Sequence, residues 1–213
     1  LNCDCMDYMT TLPDKAFDLA IVDPPYGIGA ASGAHSNLHA LGDKQWDSIA
    51  PDSLYFCELF RVSKNQIIWG GNYFTLPPTR GFVFWDKHPM PPSYAQGEYC
   101  WTSFDVNASV WKGRTGDETP VKERIHPTQK PVALYKWLLS RYAKPGDKIL
   151  DTHGGSGSIC IACHDLGYDL TWMELDADYY KAACKRYKNH AAQASLFDPV
   201  ELTKETAPQE LFD

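Results

Sequence analysis

The sequence predicts an α/β protein built on a doubly wound, mostly parallel sheet. Short segments rich in β-branched and aromatic residues alternate with longer segments of helical spacing. Several of the short segments run directly into turns rich in glycine or proline, as strands do at the binding edge of such sheets. The length of 213 residues suits one domain with a sizeable core.

Each element follows from its local pattern. The predicted strands are short and bounded by glycine, proline or charge, and they lie at 17–23, 66–71, 81–86, 97–104, 147–151 and 168–174. The predicted helices have apolar residues at a helical period, and they lie at 51–64, 131–144, 156–167 and 176–191. Pro131 in a first turn and Gly146 and Gly167 after last turns fit the usual start and stop signals. The stretches 28–50 and 105–125 are predicted to be long polar loops, which are usually functional.

Composition narrows the class of protein. A hydrophobic fraction of 44% and a charged fraction of 22% are typical of soluble globular domains. No apolar run approaches the roughly 20 residues of a membrane span, and no secretion leader is visible, so we expect a cytoplasmic protein with no membrane partner. Seven cysteines without regular spacing favour reduced thiols.

The charge balance leaves the partner open. The formal net charge is −7, of which the acidic stretch 198–213 contributes −4 through five acidic residues and Lys204. The rest of the chain is close enough to neutral to carry a local basic face. Charge therefore neither supports nor excludes a nucleic-acid partner.

A cysteine motif in the third predicted helix raises the possibility of a metal. Cys160, Cys163 and His164 have the spacing of a c-type haem attachment site, and Cys184 could join them in a zinc site. The two cysteines of the motif share the core-facing stripe of the helix, where cysteine behaves as a small hydrophobic residue. We predict no metal site.

The stretch "FDLAIVDPPYGIG" (17–29) ends a buried strand in a rigid corner. Pro24 and Pro25 each fix φ near −65° and lack a backbone N–H, and each pushes its predecessor toward extended geometry. The corner therefore holds a carboxylate, Asp23, and several carbonyl oxygens in place. Such an arrangement suits a ligand that donates hydrogen bonds.

The stretch "DKILDTHGGSGSICIA" (147–162) predicts a second site. A strand ends at Asp151, a glycine-rich turn follows, and a helix begins at about Ser158, so that backbone N–H groups can approach a ligand closely. About twenty residues later Glu174 ends the next strand, a spacing that suits hydrogen bonds to ribose hydroxyls. "GGSG" is not the dinucleotide fingerprint, and an ordinary strand–turn–helix connection is the alternative.

The two motifs together resemble the S-adenosylmethionine-dependent amino-methyltransferases of DNA, the N6-adenine and N4-cytosine family. The catalytic motif of that family corresponds to Asp23, Pro24, Pro25 and Tyr26, and the cofactor turn corresponds to 151–158. The resemblance continues through "HPTQKPVALYKWLLSRYAKPGDKILD" (126–151) and "NCDCMDYMTTLPDKAFDLAIVDPPYG" (2–27), and it covers roughly 2–190. A catalytic motif that precedes the cofactor turn resembles the β arrangement of these enzymes. One departure is His153, which stands where an aromatic or small residue is usual.

The resemblance implies a seven-stranded sheet with one reversed strand, and a site for each ligand. It implies that the cofactor is bound by Asp4, Cys5, Asp23, Thr128, Lys130, Asp151, Gly154, Gly155, Ser156, Gly157, Ser158, Glu174 and Leu175. Lys130 is expected to approach the cofactor carboxylate or a phosphate. We expect one catalytic domain over 1–190, a short target-recognition segment at 105–125, and an acidic tail over 191–213. The DNA-facing basic residues are expected to be Lys112, Arg114, Lys122 and Arg124.

The rigid corner explains how such an enzyme would act. An exocyclic amine is a poor nucleophile because its lone pair is delocalised into the ring. If the carboxylate of Asp23 and the carbonyl of Pro24 each accept one N–H, the lone pair is localised toward the methyl donor. The base leaves the duplex at a cost of a few kcal/mol, and stacking on Tyr26 returns about 1–3 kcal/mol. Aspartate at the head of the motif resembles the enzymes that act on adenine N6 in double-stranded DNA.

Three alternatives remain open at this point: methylation of cytosine N4, methylation of an amine on RNA or protein, and a non-catalytic DNA- or clamp-binding module. The tail sequence "QASLF", from Gln193 to Phe197, resembles the peptide that docks bacterial proteins on the DNA-polymerase sliding clamp. A clamp-tethered enzyme is therefore a hypothesis, and packing of the tail on its own domain or on a dimer mate is the alternative. A homodimer is common among β-type relatives, and nothing in the sequence indicates a companion nuclease.

Overall fold

The computed structural model describes residues 1–29, 46–91, 94–120 and 123–193. The strands are β1 (Phe17–Val22), β2 (Ser63–Trp69), β3 (Phe82–Asp86), β4 (Gly97–Thr102), β5 (Ser109–Lys112), β6 (Lys148–Asp151) and β7 (Asp169–Trp172). The helices are α1 (Cys5–Met9), α2 (Ser53–Val62), α3 (Thr115–Glu118), α4 (Val132–Tyr142), α5 (Ser158–Leu166) and α6 (Ala177–Ala191), with a 3₁₀ turn at Gly71–Tyr73.

All the strands belong to one mixed sheet. It has seven strands in the order β5-β3-β4-β2-β1-β6-β7. β4 runs antiparallel to both of its neighbours, β2 and β3, and every other pair in the sheet is parallel. The predicted fold class, a mostly parallel seven-stranded sheet with one reversed strand, is confirmed.

The sheet is covered on both faces, which explains the nearly continuous apolar runs of its central strands. Successive side chains of β1 point to opposite faces: Leu19 and Ile21 pack with α4 and α5, whereas Ala20 and Val22 pack with α2. All four are at most 1% exposed. Complete burial of a Leu, Ile or Val side chain stabilises the fold by about 1.5–3 kcal/mol, so this strand anchors both cores.

Helix ends follow the capping rules. Asp52 and Asp176 each accept hydrogen bonds from two backbone N–H groups in the first turn of α2 and α6, and Asp4 accepts one in α1. Gly167 ends α5 in the left-handed conformation, with φ of 74°. No helix in the described ranges is long and apolar enough to cross a membrane.

The prediction that 105–125 is a polar loop is wrong in part, because β5 and α3 lie inside it. Strand β5 is an edge strand of four residues in which Ser109 and Trp111 are partly buried, while Val110 and Lys112 are exposed. Because Trp111 is the one large side chain of β5 that points inward, the strand lacks the alternation of apolar and polar residues by which it could be recognised in the sequence. Helix α1 was also not predicted, and β2 begins three residues earlier and ends two residues earlier than the predicted 66–71.

Because β4 alone is reversed, the carboxyl ends of the other strands meet at one edge of the sheet. Asp23 follows β1, Gly70 follows β2 and Asp151 ends β6 at this edge. The first residues of β4, Gly97 and Glu98, lie there as well, since that strand runs the other way. In open α/β sheets ligands bind outside this edge.

Candidate active site

A cavity of about 860 Å³ opens at the carboxyl edge of the parallel strands. It is lined by residues of both predicted motifs, including Asp23, Tyr26, Gly154 and Glu174. Ligand sites of drug-sized molecules usually measure about 300–1,000 Å³. The two sequence motifs therefore form one site, and its size accommodates more than one small ligand.

The Asp23 corner is held by its own side chains. The hydroxyl of Tyr26 donates a hydrogen bond to Oδ1 of Asp23 over 2.7 Å, and the ammonium group of Lys130 binds Oδ2. Burial, followed by the nearby charge of Asp23, raises the pKa of Tyr26 well above its ordinary value. Tyr26 therefore remains a hydrogen-bond donor at neutral pH, and the carboxylate has a fixed orientation.

Asp47 holds the backbone of the same corner, and sequence reasoning missed it. Its Oδ1 accepts the N–H of Tyr26 at 2.6 Å and the N–H of Gly27 at 3.1 Å. The residue is only 1% exposed. An aspartate inside a polar loop gives no pattern by which this role could be found.

The ring of Tyr26 is enclosed by the segment after β2. Tyr73 stacks on it with ring centroids 4.9 Å apart and an interplanar angle of 14°, and Phe74 meets it edge-on at 6.1 Å. Gly70 has φ of 67°, and a Cβ at that position would overlap the ring of Tyr26. The chain thus requires glycine at Gly70 for two reasons, conformation and space.

A chain of alternating charges leads away from Asp23. Lys130 binds Asp23 and also lies 3.3 Å from Oε2 of Glu98, and Glu98 in turn pairs with Lys87. The ammonium group of Lys130 stands 5.0 Å from the centre of the Trp69 ring. Sequence analysis predicted Lys130 at the cofactor and assigned no role to Glu98 or Lys87.

The glycine-rich turn joins β6 to α5 at the other end of the cavity. A Cβ on Gly154 would overlap the ring of Trp172, so glycine is needed for this close approach. Glu174 shapes the turn, since its Oε2 accepts the N–H of Gly155 and its Oε1 accepts the N–H of Asp176, each at 2.8 Å. Both Gly155 and Glu174 line the cavity.

Most predicted cofactor residues line the cavity, and three lie behind its wall. The lining includes Asp4, Cys5, Asp23, Thr128, Lys130, Gly154, Gly155, Ser156, Glu174 and Leu175. Asp151 and Ser158 are each 2% exposed, and neither they nor Gly157 are part of the lining. The hydroxyl of Ser158 donates to the carbonyl of Lys130 at 2.7 Å and accepts from Arg186 at 2.8 Å, so it supports the wall.

Burial changes the titration of two groups in this turn. It raises the pKa of Asp151 to about 8, although the backbone N–H of His153 acts in the opposite direction. It lowers the pKa of His153 to about 4. His153 is therefore a neutral imidazole at pH 7, in contact with Tyr55 and Thr152. Burial, and then Asp4, raises the pKa of Cys5 to about 12, so this thiol stays protonated.

The predicted DNA-facing residues differ in exposure and in their partners. Lys112 ends β5 with 78% of its side chain exposed, and Arg114 donates from Nε and Nη2 to the same oxygen, Oδ1, of Asp117 in the first turn of α3. Arg124 is partly buried, and Lys122 lies outside the described residues. Of the predicted clamp peptide only Gln193 is described, and Ala194–Phe197 lie outside.

Comparison with known proteins shows which proteins this chain is similar to. Residues 82–185 match the family model of N6/N4 methyltransferases, described as DNA methylase. The chain is 27% identical over 245 residues to the type II methyltransferase M.HinfI of Haemophilus influenzae, and the match covers 88% of this chain and 67% of that protein.

Two solved structures share the fold of this chain. The complex of M1.HpyAVI with S-adenosylmethionine has a TM-score of 0.52 at 20% identity, and covers 87% of this chain and 96% of that chain. The cytosine-N4-specific PvuII DNA methyltransferase has a TM-score of 0.56 at 12% identity, and covers 95% of this chain and 88% of that chain.

S-adenosylmethionine is the cofactor of this family of methylases. The residues of the turn fit such a molecule, because Gly154 and Gly155 bring the backbone to the wall of the cavity without side chains, beside an acidic residue, Glu174. His153, the one departure from the family pattern in this turn, also lines the cavity and is neutral there.

Proposed function

We propose that this protein transfers a methyl group from S-adenosylmethionine to the exocyclic N6 amine of an adenine that has been flipped out of double-stranded DNA. The observation that carries the proposal is the fixed carboxylate of Asp23, held by Tyr26 and Lys130 in the cavity that also contains the glycine-rich turn. Acceptors for an amine thus lie in the same enclosure as a nucleoside-binding turn.

The chemistry of the corner follows from its atoms. When bound, the cofactor supplies an electrophilic methyl group on a sulfonium. Asp23 and the carbonyl of Pro24 accept the two N–H groups of the amine and localise the nitrogen lone pair. With the cofactor bound, the nitrogen would take the methyl group as the carbon–sulfur bond breaks to leave a thioether, and the proton that the nitrogen loses would pass through Asp23 to solvent. Alignment of the two reactants accounts for up to roughly 7–11 kcal/mol of barrier lowering.

An aromatic enclosure suits the flipped base. Tyr26, Tyr73 and Phe74 place three rings beside Asp23, and stacking on an aromatic side chain stabilises a bound base by about 1–3 kcal/mol. Tyr73 is 47% exposed and covers a face of Tyr26 in this structure. Entry of a base therefore requires a rearrangement of Tyr73.

The choice of adenine rests on the resemblance of a motif headed by aspartate to adenine-specific enzymes. Cytosine N4 is the alternative, because the PvuII enzyme, which shares the fold, is cytosine-N4-specific. We also propose that 105–125, with β5, α3 and the exposed Lys112, contributes to DNA contact at the carboxyl edge of the sheet.

The test is methylation of unmethylated double-stranded DNA with isotope-labelled S-adenosylmethionine, followed by nucleoside mass spectrometry. We expect label in N6-methyladenine that disappears in Asp23→Ala, while the cofactor affinity of that variant stays within about threefold of the parent. Label in N4-methylcytosine would overturn the choice of base. Absence of label on DNA, when the cofactor is shown to bind, would overturn the DNA substrate, and absence of cofactor binding would favour a non-catalytic module.

A further inference from the structure

The charge chain beside the cavity consists of Asp23, Lys130, Glu98 and Lys87, in that spatial order. Its side chains are 18%, 3%, 23% and 17% exposed, respectively, so all four are largely removed from water. Charges in such surroundings are stable only when each one is paired. The chain of two carboxylates and two ammonium groups meets this requirement.

The charged forms of the two central members support each other. Burial lowers the pKa of Lys130, but the charges and hydrogen bonds of Asp23 and Glu98 outweigh it, so the pKa is raised above its ordinary value. Burial raises the pKa of Glu98, but Lys130 and Lys87 outweigh it and bring the pKa down to about 2. Both groups are therefore ionised at neutral pH.

We propose that Lys130 and Glu98 form a positioning pair for Asp23. Lys130 holds the carboxylate of Asp23 in one orientation, and Glu98 holds Lys130. This role differs from the predicted contact of Lys130 with the cofactor. The inference rests on the proposed function, because it assigns to Asp23 the acceptance of the substrate amine.

Each member of the pair is fixed by backbone structure. Glu98 lies in β4 opposite Trp85 of β3, and the next residue, Tyr99, lies opposite Phe84. The carbonyl of Lys130 accepts the hydroxyl of Ser158, which lies at the start of α5. The ammonium group of Lys130 is thus held at its side-chain end by Glu98 of β4, and its backbone is held by Ser158 of α5.

The geometry leaves acceptor capacity on Asp23. Tyr26 donates to Oδ1 and Lys130 to Oδ2, and an ionised carboxylate offers about four lone-pair sites. Oε2 of Glu98 lies 3.3 Å from the same ammonium nitrogen, so Lys130 forms ion pairs with two carboxylates and contacts only one oxygen of Asp23. An amine can therefore still donate to the carboxylate.

The first test separates catalysis from cofactor binding. Lys130→Met should lower the methyl-transfer rate at saturating cofactor and DNA by about 100-fold or more, and Glu98→Gln by about tenfold. The dissociation constant of S-adenosylmethionine should stay within about threefold for both. Lys136→Met is the matched control, since Lys136 pairs with Asp165 over 2.7 Å on the outer face of α4, and its rate should not change. A cofactor affinity that falls in parallel with the rate would overturn the proposal and make Lys130 a cofactor-binding residue.

The second test needs no activity and thus distinguishes failure of this inference from failure of the proposed function. Lys130→Met alone leaves Asp23 without its cation, whereas Asp23→Asn together with Lys130→Met removes both charges. The double variant should unfold at a higher denaturant concentration than Lys130→Met alone. If Lys130→Met does not fold and the double variant does, the pairing is equally supported. Asp23→Asn alone completes the comparison. If the losses of unfolding free energy in the two single variants add up to the loss in the double variant, the pairing is excluded, whichever base is methylated.

Discussion

The carboxylate of Asp47 accepts the backbone N–H of Tyr26 at 2.6 Å, across 21 positions of the chain. The same oxygen accepts the N–H of Gly27 at 3.1 Å. Asp47 thereby joins a position 21 residues further along the chain to the backbone of the Asp23 corner. Asp47 therefore supports the site through the backbone of Tyr26 and Gly27.

We expect Asp47→Ala to leave the N–H groups of Tyr26 and Gly27 without this acceptor, at a cost of about 1–3 kcal/mol for a group left unsatisfied away from water. That cost corresponds to a fall in Tm of several degrees for a chain of this size. Asp47→Asn keeps an acceptor oxygen and should lose less. Thermal unfolding measures the stability, and methyl transfer with each variant shows whether a loosened corner also slows the reaction. Equal stability of Asp47→Ala and the parent would contradict this account.

Gly70 offers a second prediction with a close control. Gly70→Ala places alanine at a positive φ, which destabilises the fold by about 1–2 kcal/mol, and also drives a methyl group into the ring of Tyr26. Gly146→Ala has only the conformational cost, because Gly146 has φ of 87° and no atom within 4 Å of an added Cβ. We expect Gly70→Ala to lose methyl-transfer activity by at least tenfold relative to Gly146→Ala. Similar activity in both variants would show that the position of the Tyr26 ring is not critical.

The buried carboxyl of Asp151 predicts a dependence of stability on pH. Its pKa is raised by burial from 3.8 to about 8, so between these values the folded protein binds more protons than the unfolded chain. Stability from this group is therefore full below about pH 4 and falls as the pH rises toward 8, by up to about 1.4 kcal/mol per pH unit.

His153 acts in the opposite direction at lower pH. Its pKa is lowered from 6.5 to about 4, so its contribution is present above pH 6.5 and is lost as the pH falls toward 4. The Asp151 slope is thus isolated between pH 6.5 and 8. Asp151→Asn should flatten the stability curve in this window, measured by urea unfolding at several pH values. A curve parallel to that of the parent would mean that Asp151 is ionised in the folded protein.

Glu174 predicts a change in cofactor affinity. Its two carboxylate oxygens accept the N–H groups of Gly155 and Asp176, so it both lines the cavity and shapes the glycine-rich turn. Glu174→Gln should raise the dissociation constant of S-adenosylmethionine by about tenfold, measured by calorimetry. Glu123→Gln, a change at an exposed glutamate outside the cavity lining, should have no effect. Unchanged affinity in Glu174→Gln would remove this residue from the cofactor site.

The parts of the site that the sequence predicts have one property in common. Asp23 and the glycine-rich turn both directly follow parallel strands, so each motif is contiguous in sequence and both reach the same edge of the sheet. Glu98 is the second residue of β4, a strand whose direction no residue pattern reveals. Asp47 acts through backbone N–H groups 20 and 21 positions away, and β5 buries little beyond Trp111. These features depend on contacts between residues that are distant in sequence, and the local pattern of apolar and polar residues does not predict such contacts.

The pairing of the reversed strand β4 with β3 makes the position of Glu98 independent of the length of the connection before it. Because Glu98 lies directly opposite Trp85, the position of its carboxylate is set by ladder register and not by the connection between β3 and β4. The part of that connection after Lys87 can gain or lose residues while the carboxylate stays where it is, since longer loops cost little free energy. A chain built this way can vary the length of the connection without moving the carboxylate at the cavity.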